Sequence, residues 1–148
     1  MEKANLYYSI FLGKLWGSAA GQSLSIAATS GGRGGSTTPG AVATSVRDNP
    51  FKIGQKTDHA SGVHGGPLPI GKYRIDAPIH SGHMGRCAKL TPVDGGISFG
   101  MFGRSGFFIH GRGPHGSDGC IVPLNGSEFQ KLMKALAESG GGELIVLP

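Results

Sequence analysis

The chain has 148 residues, of which 28 are glycine and 9 proline. These two chain-breakers make up about a quarter of it, the level at which disorder has to be weighed. Leu, Ile, Val and Phe nevertheless reach about 23% of the residues, above the roughly 20% floor of foldable chains, and the glycines lack the three-residue period of collagen. The formal charge of +5 favours an anionic partner. Its basic residues are scattered singly among few aromatics, which argues against a base-stacking nucleic-acid surface and leaves an acidic membrane surface, an acidic polymer such as cell wall, or simply a solvated surface. The length suits one domain, residues 1–148. Each glycine in a helix interior costs about 1 kcal/mol relative to alanine. A compact, mainly β domain with many turns and one helix is therefore expected.

In chain order, Glu2 and Lys3 precede an apolar stretch from Leu6 to Leu12, which Lys14 breaks without a small-residue cleavage site. That reads as no signal peptide, and no run reaches the roughly 18–20 residues needed for membrane insertion. Alternation of Leu6, Tyr8, Ile10 and Leu12 predicts a strand, followed by a turn near Gly13–Lys14 and a second strand. Residues 22–28 alternate again. Residues 31–66 read as a long loop or flap interrupted by a short strand at 42–46. After the Pro67/Pro69 turn, Ile70, Tyr73 and Ile75 mark a further strand, and others are expected at 88–91, 97–102 and 106–110. Residues 127–139 form the one predicted helix. Ser127 caps it, Glu128 suits its positive end, Phe129, Leu132, Met133 and Leu136 share one face, and Gly140–Gly142 stop it. Residues 143–147 read as a closing strand.

The chemistry concentrates in residues 107–124, where His110 ends an apolar strand, a glycine-rich loop follows, and Cys120 opens another apolar stretch. A thiolate is a nucleophile, and a histidine across a short loop can serve as its base. Gly116 and Gly119 permit close approach by a substrate backbone, and the amides from Asp118 to Cys120 can form a nest for an oxyanion. Cys87, the other cysteine, is either bridged to Cys120 or a small buried hydrophobe. The histidines 59, 64, 80, 83, 110 and 115 invite a metal. The ligand-like spacing of His80 and His83 lies among Pro78, Gly82 and Gly85, which predict a loop, and nothing completes a tetrahedral set. No metal and no cofactor are expected. His115 lies in the loop, either against substrate or in solvent.

The run His110-Gly111, with Ser117-Asp118-Gly119-Cys120-Ile121, resembles the active-site signature of the L,D-transpeptidase (YkuD-like) catalytic domain. A second block, Gly66-Pro67-Leu68-Pro69-Ile70-Gly71-Lys72-Tyr73-Arg74-Ile75, resembles the family's Pro-x-Gly-x-Tyr strand, so the likeness covers roughly residues 50–124. Three features depart from the pattern: Asp118 in place of the usual His or Asn, Val122-Pro123 where an arginine is common, and a short His-to-Cys loop. With Asn49-Pro50, the Cys-Ile-Val ending and the run Gly103-Arg104-Ser105-Gly106-Phe107-Phe108-Ile109-His110-Gly111, they resemble small L,D-transpeptidase toxins delivered by type VI secretion. The absence of a signal peptide suits such an injected effector, which acts in the periplasm of a target bacterium.

The resemblance implies the mainly β, sandwich- or barrel-like L,D-transpeptidase catalytic fold with one helix in its C-terminal region, and acyl transfer on the stem peptides of peptidoglycan. Cys120 would attack the carbonyl before the terminal D-alanine and His110 would shuttle the proton. Water would then release the product as in an L,D-carboxypeptidase, or a stem amine or free D-amino acid would take the acyl group. Gly111 would orient the imidazole through its carbonyl, while Ser117, Asp118 and Gly119 would support the oxyanion, Asp118 also tying down the loop. Arg104 would either bind a stem carboxylate or brace its strand. A toxin of this kind implies a cognate immunity protein. Two other readings stand beside it: a cysteine peptidase of different specificity, and a non-catalytic basic module that binds cell wall.

Overall fold

The computed structural model describes residues 2–31, 47–55, 65–81, 85–93, 104, 106–111 and 119–148. The chain opens on an antiparallel meander of β1 (Ala4–Ser9), β2 (Lys14–Ala19) and β3 (Gln22–Ser30), with Tyr8 opposite Leu15 and Leu15 opposite Ile26. The alternation puts Leu6, Tyr8, Leu15, Leu24 and Ile26 inside. The first strand stops at Ser9 rather than running on to Leu12, because Ser9 organises the turn. Its Oγ accepts from Leu12 N–H (3.2 Å) and its carbonyl from Gly13 N–H (3.0 Å), leaving Phe11 and Leu12 exposed.

The predicted strand at 70–75 is β4 (Gly71–Ile75), and β5 (Ile79–Ser81) follows it. Pro78, which has no amide hydrogen to give a ladder, falls at the break between them. β5 corrects the expectation of a loop around His80. Both strands pair with one long strand, β6 (Gly85–Pro92), β4 through Tyr73–Pro92 and β5 through Ile79–Cys87. Next come β7 (Phe107–His110) and β8 (Ile121–Pro123), then α1 (Gly126–Ser139) and β9 (Gly142–Leu147). β9 runs parallel to β1 and antiparallel to β4. The sheet order is thus β4-β9-β1-β2-β3-β8-β7-β6-β5, and the extra β4–β6 pairing closes it into a barrel. The β4–β6 pairing covers strand edges that an extended sheet would offer to other chains. The strands expected at 42–46 and 97–102 lie outside the described residues.

Helix α1 starts one turn-defining residue earlier than its predicted cap. Asn125, not Ser127, is the cap: its Oδ1 accepts from Ser127 N–H (2.9 Å) and Glu128 N–H (3.0 Å). Ser127 lies inside the helix and its hydroxyl donates back to Asn125 (2.7 Å). Phe129, Leu132, Met133 and Leu136 are buried as the spacing predicts, and the helix ends at Gly140 with φ 71°. The buried face packs on β2, β3, β6 and β8 and so joins one continuous core. No helix among the described residues is long and apolar enough to cross a membrane.

Candidate active site

The two residues singled out by their chemistry come together through one pairing. β7 and β8 run side by side in parallel, with Ile109 opposite Ile121, both fully buried. His110 follows the first isoleucine and Cys120 precedes the second, so the two residues stand diagonally across this pair, one at the end of β7 and one just before β8. Strand spacing and rise put the Cα atoms of His110 and Cys120 about 8 Å apart along a diagonal, a separation that two long-enough side chains can span when turned toward each other.

His110 Nδ1 lies 2.8 Å from the carbonyl oxygen of Gly111. A carbonyl only accepts, so this contact places the imidazole hydrogen on Nδ1 and leaves the Nε2 lone pair available as a base. The His110–Gly111 corner rests on α1, since a Cβ at Gly111 would meet the Phe129 ring at ordinary contact distance (3.4 Å). Cys120 is 9% exposed and its Sγ accepts from the backbone N–H of Phe108 at 3.3 Å. A thiolate would hold that donor as a charge-assisted hydrogen bond.

Gly119 shows why glycine precedes the cysteine. Its φ is +115°, and a Cβ there would meet the Phe107 ring at 2.5 Å and Arg104 Nη2 at 2.7 Å. Its carbonyl accepts from Ser30 Oγ at 2.9 Å. Arg104, for which both a stem carboxylate and a bracing role are expected, is 6% exposed. Its guanidinium donates to the carbonyls of Ile53, Pro67 (2.6 Å) and Gly66 (2.7 Å) and lies 5.2 Å from the centre of the Phe107 ring. A buried charge needs such partners, because losing hydration without them costs several kcal/mol. The contacts are those of a brace. Ser117, Asp118 and His115 lie outside the described residues.

Cys87 and Cys120 carry separate thiols. Cys87 is fully buried, and that burial pushes its thiol above the ordinary range despite a backbone hydrogen bond from Ser81. Among the described residues no group of three or more His, Cys, Asp or Glu is placed to hold a metal ion. His80 is exposed on β5, and His59, His64 and His83 lie outside the described residues.

Sequence reasoning passed over Ser30 and Asp48. Ser30 is wholly buried, and the Asp48 carboxylate accepts from its backbone N–H (2.9 Å) and from the Thr29 hydroxyl (2.9 Å to either oxygen). A signal was present: in the alternation that turns Leu24, Ile26 and Ala28 inward, position 30 also faces inward, and a polar residue there implies a buried hydrogen bond.

No protein-family model matches the chain, and no curated protein matches it. Among solved structures it is similar to the L,D-transpeptidase (residues 123–326) of Xylanimonas cellulosilytica DSM 15894, with a TM-score of 0.51 at 14% identity. The fold is that of an L,D-transpeptidase catalytic domain. The likeness covers 98% of this chain and 60% of that one, so the chain spans less than two thirds of its structural neighbour. At this identity the likeness concerns the fold, and the chemistry has to be argued from the site.

Proposed function

We propose that the protein is a peptidoglycan-modifying cysteine enzyme with Cys120 as nucleophile and His110 as base. The observation that carries this reading is the Ile109–Ile121 pairing, which sets the two residues as diagonal neighbours on adjoining strands. The Gly111 carbonyl on Nδ1 leaves the other imidazole nitrogen to serve the thiol. The L,D-transpeptidase fold supports the substrate class.

In the reaction, His110 Nε2 takes the thiol proton and the Cys120 sulfur adds to the carbonyl of the third stem residue. Collapse of the tetrahedral adduct breaks the bond to the terminal D-alanine, whose amine leaves with the proton held by His110. The resulting thioester is resolved by water, giving L,D-carboxypeptidase activity, or by an amine from another stem or a free D-amino acid, giving transpeptidation or exchange. The likeness of residues 103–111 to the secreted toxins, with Asp118 and Val122-Pro123 at the variable positions, supports a narrower reading. In it the protein is an antibacterial effector delivered by type VI secretion into the periplasm of a target cell and neutralised in its producer by an immunity protein.

Incubation with purified tetrapeptide muropeptides, followed by mass spectrometry, tests the enzymatic claim. Loss of D-alanine or its exchange for an added D-amino acid is expected from the wild type and not from Cys120→Ala. Unchanged substrate, or equal turnover by the variant, removes the claim. Growth arrest on periplasmic but not cytoplasmic expression tests the effector role.

A further inference from the structure

Two buried polar side chains converge on the peptide that carries Cys120 from opposite parts of the sequence. Ser30, the last residue of β3, donates its hydroxyl hydrogen to the Gly119 carbonyl (2.9 Å) and accepts from Leu68 N–H (2.9 Å). The Asp48 carboxylate holds the backbone of Ser30. Arg104 joins the carbonyls of Ile53, Gly66 and Pro67, and its Nη2 stands 2.7 Å from where a Cβ of residue 119 would be. The 66–68 segment is thus tied to Gly119 by both residues. Gly31, immediately after Ser30, packs so tightly on this segment that a Cβ would lie 2.7 Å from Pro67 N.

We infer that Ser30 and Arg104 are positioning residues that clamp the Gly119–Cys120 peptide and thereby hold the Cys120 thiol in register with His110. The inference rests on the cysteine-enzyme reading. Ser30 is wholly buried, and the Arg104 guanidinium is taken up by the carbonyls of Ile53, Gly66 and Pro67. They act through the backbone. Ser30 draws the Gly119 carbonyl toward itself, and because C=O and N–H point oppositely across a trans peptide, the Cys120 amide is directed away from Ser30. Arg104 fills the space beside Gly119 that any other residue would occupy, which denies the peptide a second orientation. The clamp thus sets both the origin of the Cys120 side chain and the plane of its amide. Lysine would not replace Arg104, because one ammonium lacks the planar fork that reaches several carbonyls at once.

The test is the rate at which iodoacetamide alkylates Cys120 in the folded full chain across the pH range, with peptide mapping to separate it from Cys87. Circular dichroism and thermal melts establish that each variant is folded. Wild type is expected to keep fast alkylation below the range of an ordinary thiol. In Ser30→Ala and Arg104→Lys the rate at neutral pH is expected to fall about tenfold or more, with the pH profile moved toward that of a free cysteine, because small displacements of reacting groups carry large rate penalties. Ser30→Thr, which keeps the hydroxyl, is expected to restore the profile. Should Ser30→Ala fail to fold, Ser30→Cys fills the same space with a weak donor and is judged by the same rate and profile. A folded Ser30 variant with wild-type rate and profile overturns the clamp while muropeptide turnover by the wild type still supports the enzyme. If wild-type Cys120 reacts no faster than a free cysteine and leaves muropeptides unchanged, both readings fall.

Discussion

Cys87 stands directly opposite His110 across the β6–β7 pair, while Cys120 flanks β7 on its other side. The strand carrying the histidine therefore separates the two thiols by two strand spacings, roughly 9.5 Å or more, beyond the roughly 7 Å that a disulfide tolerates between Cα atoms. A bridge between them would require β7 to be displaced.

Selective labelling follows from this arrangement. In the folded protein a thiol reagent is expected to modify Cys120 first, and Cys87 only after denaturation, since Cys87 is fully buried and its thiol is held in the protonated form by that burial. Mass spectrometry of tryptic peptides under non-reducing conditions checks both points. A Cys87–Cys120 linked peptide, or labelling of Cys87 ahead of Cys120, would contradict the strand order.

His110 is expected to matter through proton transfer and not through stability, being half-buried at the end of β7. His110→Ala is expected to lower muropeptide turnover by about 10²–10⁴-fold, the usual scale for losing a general acid–base group. The melting temperature of this variant should stay within a few degrees of wild type. A variant that keeps turnover while remaining folded would leave Cys120 without its base.

Gly119 and Gly111 flank the same loop but differ in what they demand of it. Gly119→Ala places a side chain at positive φ against Phe107 and Arg104, and strain of this kind costs about 1–3 kcal/mol before any clash is added. For a chain of this length that is a fall in melting temperature of roughly 3 °C or more. Gly111→Ala meets only the Phe129 ring at ordinary contact distance and is expected to change it far less. Parallel thermal melts decide; equal effects would mean that the backbone at Gly119 relaxes freely.

Asp48 gives the site's support a pH dependence of known sign. Burial raises its carboxyl above the ordinary range, outweighing the hydrogen bonds from Ser30 and Thr29 and the charge of Arg47 that pull it down. The folded state then binds the proton more tightly than the unfolded chain does. Stability is fully present below the unfolded-state pKa and is lost as pH rises through the raised folded value. Asp48→Asn keeps an acceptor toward Ser30 without the charge. Its melting temperature relative to wild type is expected to increase between about pH 4 and about pH 7, spanning the carboxylate range. A flat or falling difference would show that the carboxylate is not desolvated.

The alternating and helical apolar patterns announce β1, β2, β3, β4, β9 and the buried face of α1, because burial of one face is a local property of spacing. The likeness around His110 and Cys120 was legible for a similar reason: both lie in one short segment. The helix cap was misplaced by two residues because Asn125 and Ser127 are both good caps, and only the backbone direction at Asn125 decides between them. β5 escaped notice because a three-residue strand has too little pattern to register, and it forms only where β6 offers it an edge.

By itself, the sequence determined that the chain is β-rich with one helix, and that a histidine and a cysteine bracket a glycine-rich loop. Tertiary structure alone decided which strands adjoin, and so that β7 lies between Cys87 and Cys120 while β8 lies beside His110. It also gave Arg104 to the carbonyls of Ile53, Gly66 and Pro67, and Ser30 to Gly119. The physical reason is that these are contacts between residues 37 to 89 positions apart, whose partners are set by barrel closure and leave no periodic trace in the chain.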